Sequence, residues 1–480
     1  PADGPGRPVL GITTRPDPDG LTVDTVVAGG AGAAAGLRVG DVLLKLDEFD
    51  LTAAGVAVRD ALAQRRPGEA VALLVKRGRD ELALRATLGG ESATKSVGWD
   101  DRLPEVKPRT GYKLAVVGID FPDVKHNPKV SGADWEKALF SLGQYTGRSP
   151  TGEKVFGSMA DYYREVSYGR FTVTGKFVGW VEAKKPRPDY APNNGSGSQP
   201  KRALLTEVLD KLTEKNPDAL KEYEGVFFVF AGERVRTNRG GLYWPHRATV
   251  SHGGKRWPYF IVHEGGPKMT DISVFCHEFG HMLGLPDLYA SPEVPGMEGV
   301  GLWCAMSQQL PGGRPQHFGA WCKERLGWLQ PVTIDPRVKQ RIVLAPVEDD
   351  PTECVRVPVR PDGGEYLLLE NRRKKGFDSN LPGEGLLVWR VIPRVDREQA
   401  RDQAPPQPVF LEEAHGIAGP PGPRSQPTQV PFPSAANTAF TPHTTPSSRA
   451  VTGGGLDVWL TDITRLPDGR ITFAVGYEFQ

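Results

Sequence analysis

The apolar positions of the chain follow three rhythms in succession. Over the first ninety residues, short apolar segments at 9–13, 21–26, 42–46 and 70–76 are split by turn residues, which predicts strands. A helical stretch at 56–64 precedes the last of them. From residue 113 the pattern changes. Residues 113–121 and 225–231 are near-continuous apolar runs, as expected of strands buried on both faces. Segments 135–142, 159–166 and 201–212 have helical periodicity, and 170–181 alternates like a strand. Strands that alternate with helices predict an α/β layer structure. Beyond about residue 331 helical patterns vanish. Strands are expected at 340–345, 354–359, 365–370, 385–391 and 471–475, which reads as a β-sandwich. Residues 403–448, rich in Pro, Gly, Ser and Thr, read as an extended surface loop, and 193–200 as a mobile one. The expected organisation is therefore multidomain: a β-rich unit at 1–92, a linker at 93–110, an α/β domain at 111–331 and a β-sandwich at 332–480.

Composition narrows the function. At 480 residues, two to four domains are expected, and 57 Gly with 44 Pro favour β modules and long loops over a helical bundle. Net charge is +1, so no overall field draws the chain to nucleic acid or to an anionic membrane. The basic run Arg372-Arg373-Lys374-Lys375 is short and reads as a solvated loop. No run reaches the roughly 18–20 apolar residues of a membrane span. The sequence starts at Pro1 without a leader pattern, which is expected of a mature or trimmed form. None of the four cysteines, Cys276, Cys304, Cys322 and Cys354, has CxxC spacing, so a cysteine zinc site is not expected. Cys304 and Cys322 flank a Gly/Pro-rich loop. They suit a disulfide in an oxidising compartment, and four buried thiols are an equal alternative.

In the first unit, Gly36-Leu37-Arg38-Val39-Gly40-Asp41-Val42-Leu43 follows the short helical stretch at Ala33-Ala34-Ala35. This segment resembles the bacterial PDZ signature. Val9-Leu10-Gly11-Ile12 stands where that family keeps its carboxylate-binding loop. A glycine there lets backbone N–H groups converge on the C-terminal carboxylate of a peptide, while the adjoining strand edge pairs with its backbone. The alternative is a PDZ fold that only packs on its neighbour.

The chemistry lies in His277-Glu278-Phe279-Gly280-His281. Thr270 or Asp271 can cap a helix there, and Gly284 suits its end. Four residues apart, His277 and His281 project from one face and can share a Zn²⁺ at about 2.0–2.1 Å. Glu278 then points beside the metal, placed to take a proton from the activated water and return it to the leaving amine. The continuation through Gly284 to Asp287 reads HExxHxxGxxD. Gly284 permits a sharp turn that brings Asp287 back as third ligand, a metzincin-like plan with Asp in place of the usual His. Gly301-Leu302-Trp303-Cys304-Ala305-Met306-Ser307 is placed like a Met-turn, with Met306 as an apolar floor.

Together these segments resemble the immune inhibitor A family of bacterial zinc metallopeptidases. The motifs are HEFGHMLGLPDLY at 277–289, the Met306 turn, RPQHFGAW at 314–321 with LGWL at 326–329, EVSYGRF at 165–171, WPHR at 244–247, and 365–371 followed by GLLVW at 385–389. The resemblance spans most of 113–475 and leaves the PDZ-like unit as an addition. It implies a secreted, periplasmic or extracellular endopeptidase with a zincin catalytic domain, protein or peptide substrates and Zn²⁺. It also implies structural Ca²⁺, although no Asp-x-Asp-x-Asp loop is present to derive it. Leu288 replaces a commonly acidic residue, and Gln308 leaves no Tyr two positions after Met306. His246 is a candidate for steadying the oxyanion, against the commoner role of a hydrogen-bonded structural His. The other histidines (His126, His252, His263, His317, His415 and His443) lack metal spacing. Residues 257–263 alternate and are expected to form the edge strand along which an extended substrate lies. The competing function is a peptide-binding or adhesion module on a dead peptidase scaffold. A PDZ-containing serine protease has no G-x-S-x-G or G-N-S-G-G segment to support it.

Overall fold

The computed structural model describes residues 8–26, 30–53, 58–62, 65–66, 68–90, 106, 108–191, 198–235, 241–289, 299–393, 408–417, 427–451 and 454–476. Two compact units are present, Pro1–Arg102 and Leu103–Gln480. The linker expected at 93–110 falls mostly outside the described residues, as does most of the loop expected at 193–200.

In the first unit, strands Ile12–Asp17, Gly20–Val26, Val42–Leu46, Ala70–Arg77 and Asp80–Thr87 form one antiparallel sheet in that order. Ile12–Asp17 lies at an edge. Alternating residues Val71, Leu73 and Val75 enter a core with Leu10, Leu37, Leu43 and Leu62. The Gly-Asp of the signature is structural here. Asp41 is 2% exposed; it accepts from the Arg38 N–H at 2.9 Å and pairs with Arg77 at 2.7 Å. Val9 belongs to the short strand Pro8–Val9, paired with Gly89–Gly90. Leu10 is buried, and its carbonyl accepts from Gly32 at 2.6 Å. Gly11 turns the chain at φ +69° before Ile12 opens the edge strand.

The second unit contains a five-stranded sheet in the order Thr172–Glu182, Gly111–Asp120, Gly225–Phe230, Lys255–His263, His246–His252. The first four strands are parallel and the last is antiparallel. Alternate residues of Gly111–Asp120 feed opposite cores. Ala115, Val117 and Ile119 meet Leu204, Leu205, Val208 and Leu209 of helix Ser198–Lys215. Leu114 and Val116 share a cluster with Trp135, Tyr162, Tyr163, Phe275 and Phe279, from helices Gly132–Phe140, Met159–Val166 and Ile272–Met282. Burial on both faces explains the unbroken apolar runs.

The edge strand is not the expected one. Residues 257–263 are not an edge, because Lys255–His263 pairs on both sides, with Gly225–Phe230 and with His246–His252. The edge strand is His246–His252. Gly253 and Gly254, at φ +56° and +74°, close a two-residue hairpin with His252 opposite Lys255. Gly-Gly between two alternating segments is a hairpin signal in its own right.

Past residue 331, Val332–Thr333, Cys354–Pro358, Tyr366–Arg372, Gly385–Val391 and Val409–Glu412 form one sheet. Gln340–Leu344, Ile471–Val475 and Leu460–Arg465 form another. Val355, Val357, Leu367 and Leu369 share a core with Leu344, Leu460, Ile471 and Phe473 of the second sheet. The opposite face of the larger sheet, with Cys354, Leu368, Leu387 and Trp389, joins the cluster that holds Phe279. The apolar core therefore runs across the boundary expected at 331. Residues 403–448 are also more than surface loop: Val409, Ala414, Val430, Phe432 and Phe440 are buried.

A buried ion cluster joins the two regions. Arg372, fully buried, donates to Asp378 from Nε at 2.8 Å and Nη2 at 2.5 Å, and from Nη1 to Glu370 at 3.2 Å and the Trp303 carbonyl at 3.3 Å. Trp389 Nε1 also donates to Glu370, at 2.8 Å. Removing one member leaves buried charge uncompensated, which costs about 3–5 kcal/mol. Arg372→Met is expected to lose stability on that scale, read as a drop in the urea midpoint. An unchanged midpoint would show that the cluster is dispensable.

Candidate metal centre

Helix Ile272–Met282 carries the HExxH segment. Its N-cap is Asp271, whose carboxylate accepts from the Ser273 N–H at 2.9 Å; Thr270 instead bonds His263, at 2.9 Å. The helix packs its apolar face inward. Tyr163 donates to the Cys276 carbonyl at 2.7 Å, and Phe279 stacks edge-on to Tyr163 and Tyr112. Gly284, at φ +97°, ends it in a conformation that a side chain would strain.

That turn returns the chain. Asp287 Oδ1 lies 3.0 Å from His277 Nε2 and 3.1 Å from His281 Nε2. Among the described residues, His277, His281 and Asp287 are the one group of three or more such side chains whose donor atoms converge, within 4.8 Å of one another. No comparable group accompanies the calcium expectation. The donor set suits zinc: two imidazole nitrogens and a carboxylate oxygen. The other nitrogen of each ring is committed to a backbone carbonyl. His277 Nδ1 donates to Ala305 at 2.8 Å and His281 Nδ1 to Leu285 at 2.7 Å, so both rings present Nε2. Glu278, beside His277, is 5% exposed.

Met306 sits beneath the helix, fully buried. A Cβ on Gly280 would stand 2.5 Å from the Met306 sulfur, so this contact requires glycine in the x-x of HExxH. The Met306 carbonyl accepts from the Leu288 N–H at 2.7 Å, binding the turn to the returning chain. Leu288 is buried in the core, which is why an apolar residue follows Asp287. Tyr289 was not singled out from the sequence. Its hydroxyl donates to Asp287 Oδ2 at 2.8 Å and its ring stacks on His277, leaving Oδ1 as the oxygen that faces the imidazoles. Only its position two residues after Asp287 hinted at this.

His246 is not in the metal group. Its Nδ1 lies 2.6 Å from the Trp244 carbonyl and its Nε2 3.2 Å from the Tyr259 hydroxyl, at the start of the edge strand. His317 is buried beside the ion cluster, with Lys323 Nζ 3.1 Å from its Nδ1 and a Glu165 carboxylate oxygen 2.8 Å from its Nε2.

Residues 109–227 and 253–329 match the immune inhibitor A peptidase M6 catalytic domain, and residues 8–88 match the PDZ domain. The first two segments, under half of the chain, are similar to the catalytic domain of the immune inhibitor A family. Among curated relatives, the pre-pro-metalloprotease PrtV of Vibrio cholerae serotype O1 is 26% identical over 279 residues, covering 45% of this chain and 30% of PrtV. Immune inhibitor A of Bacillus thuringiensis subsp. alesti is 25% identical over 273 residues, covering 44% of this chain and 39% of that protein. The match thus spans well under half the length of either relative. Among solved structures, a serine endoprotease from Yersinia pestis is 30% identical over 17% of this chain and 29% of that one, with a TM-score of 0.16. Among the described residues, no helix is long and apolar enough to cross a membrane.

Charge at these three side chains, His277, His281 and Asp287, sets the pH response of the candidate centre. Burial disfavours imidazolium at both rings, but the Asp287 carboxylate outweighs it, lifting His281 to about 9 and His277 above its ordinary value. Burial opposes the Asp287 carboxylate too, and the two imidazoles still hold it well below the usual range. A cation that takes these three atoms must displace imidazole protons, so affinity rises with pH and binding releases protons. Zn²⁺ affinity, followed by calorimetry in buffers of different ionisation enthalpy, is expected to increase from about pH 6 to pH 8. A flat profile would refute this charge arrangement.

Proposed function

We propose that the chain is a zinc-dependent endopeptidase that acts outside the cytoplasm, built as a zincin domain fused to a β-sandwich. The observation that carries this reading is the convergence of His277, His281 and Asp287 with Glu278 next to the first ligand. The two named relatives, a metalloprotease and an immune inhibitor A, support it. His277 Nε2, His281 Nε2 and an Asp287 oxygen would hold the ion. Bound zinc supplies a lowered pKa for water and polarisation of the scissile carbonyl. Glu278 takes the proton of the attacking water and passes it to the leaving amine. The Ala305 carbonyl keeps the His277 ring in place, and Met306 packs against the helix at Gly280. The edge strand His246–His252 pairs with an extended substrate, and His246 is the candidate for steadying the oxyanion, which requires its bond to Tyr259 to open.

General acid–base catalysis contributes about 10²–10⁴-fold. Glu278→Gln is therefore expected to lower kcat/KM on a casein-type substrate by that factor while keeping zinc. His246→Gln should cost well under this. Equal inactivity of wild type and Glu278→Gln in the zinc-loaded form would instead favour a binding module.

The PDZ unit is proposed to recruit or regulate substrates by binding C-terminal peptides at Val9-Leu10-Gly11-Ile12. The left-handed Gly11 and the edge position of Ile12–Asp17 support this. A peptide with a free C-terminal carboxylate is expected to bind the full chain, and its amidated form to bind far more weakly, in a fluorescence polarisation titration. Indistinguishable binding of the two would remove the carboxylate loop.

A further inference from the structure

Two thiols face each other behind the metal centre. Cys304 and Cys322 lie with their sulfurs 3.8 Å apart, both fully buried, and neither belongs to the proposed catalytic machinery. Cys304 sits in the turn Gly301–Trp303 to Met306, one residue before the carbonyl that orients His277. Cys322 is on helix Ala320–Arg325, whose neighbours Ala320 and Trp321 share a core cluster with Trp389 of the C-terminal sheet. The N-cap of that helix, Gly319, directs its N–H at Cys304 Sγ, at 3.3 Å.

We propose that Cys304 and Cys322 form a disulfide that clamps the Met306 turn to the helix behind it and so braces the metal centre. Closing 3.8 Å to a bond of about 2.05 Å asks for less than 2 Å of combined movement, within reach of side-chain rotation about two Cα–Cβ bonds. The bridge closes a loop with the two ends 18 residues apart, a length at which cross-linking the unfolded chain stabilises appreciably. The reaction is thiol–disulfide exchange with a small-molecule disulfide. The thiolate of one cysteine attacks a sulfur of the reagent and expels one thiol. The second cysteine then attacks the mixed disulfide, forming the Cys304–Cys322 bond and releasing the other. The two cysteines are oxidised, one reagent disulfide is reduced to two thiols, and two protons leave with them.

In the folded chain Cys304 stands apart from the other thiols. Burial pushes its thiol up, but the Cys322 thiol and the N–H groups of Gly319 and Met306 outweigh that and lower it. Cys276 and Cys354, also buried, are both pushed up by burial. With both sulfurs fully buried, exchange takes place as the chain folds rather than on the finished surface.

The full chain is refolded with zinc in either a glutathione-disulfide buffer or excess reductant. Thiols are then counted in denaturant, and linked peptides are mapped by mass spectrometry. The expected result is loss of two of the four thiols, with one linkage between the Cys304 and Cys322 peptides. Four remaining thiols, or a linkage through Cys276 or Cys354, would overturn the assignment. A chelator challenge tests the bracing role. Zinc should leave the bridged protein more slowly than the reduced one, and in Cys304→Ala/Cys322→Ala the two refolding conditions should give one rate. Equal rates for bridged and reduced wild type would refute the clamp, whether or not the double variant folds.

Discussion

The candidate metal centre is tied to the rest of the unit by a guanidinium that lies outside it. Arg372 is buried at the end of a C-terminal strand, yet one of its N–H groups reaches the Trp303 carbonyl, at the head of the turn that leads to Met306. The same side chain pairs with both Asp378 and Glu370. In a low-dielectric interior these charges are tolerable only together. The sheet, the Met306 turn and the helix behind it therefore form as one body. This explains why an apolar core continues from the zinc-motif helix into the C-terminal sheet.

Around that body, orientation is achieved by backbone groups more than by side chains. Carbonyls of Ala305 and Leu285 hold the two imidazoles, and the Met306 carbonyl holds Leu288 next to Asp287. Carbonyls in rigid turns are stiff acceptors, so each ring presents the same nitrogen in the same direction. Tyr289 adds a side-chain restraint on Asp287, at the oxygen away from the imidazoles. The short motifs scattered between 165 and 329 serve this arrangement. Phe171, Phe318 and Trp328 meet Tyr163 in one aromatic cluster on the inner side of the zinc-motif helix. Their rings fill the space that sets where the helix, and hence its histidines, must lie.

Much of the fold was readable from local pattern. The strands Gly385–Val391 and Ile471–Val475 and the helix Met159–Val166 fall where periodicity puts them, because each is long or strongly apolar. Elements with weaker pattern were missed. His246–His252 mixes polar residues because it is an edge, and Val409–Glu412 lies inside a Pro/Gly-rich stretch that reads as loop. Lys255–His263 alternates as an edge strand would, yet it is interior; periodicity reports which faces are buried and says nothing of how many neighbours pair with the backbone.

The sequence by itself determined the candidate donors and their spacing. Two histidines four apart on a helix share a face by geometry alone, and a glycine three residues on permits the return that carries Asp287. Local rules of this kind need no partner from elsewhere in the chain. Tertiary structure decided what those donors are held by. The Ala305 carbonyl, 28 residues from His277, and the Arg372 guanidinium, 69 residues from Trp303, come into place only when distant segments pack. Spacing along the chain carries no record of such contacts, because they arise from close packing in three dimensions and from the cost of leaving a buried charge or carbonyl unpaired.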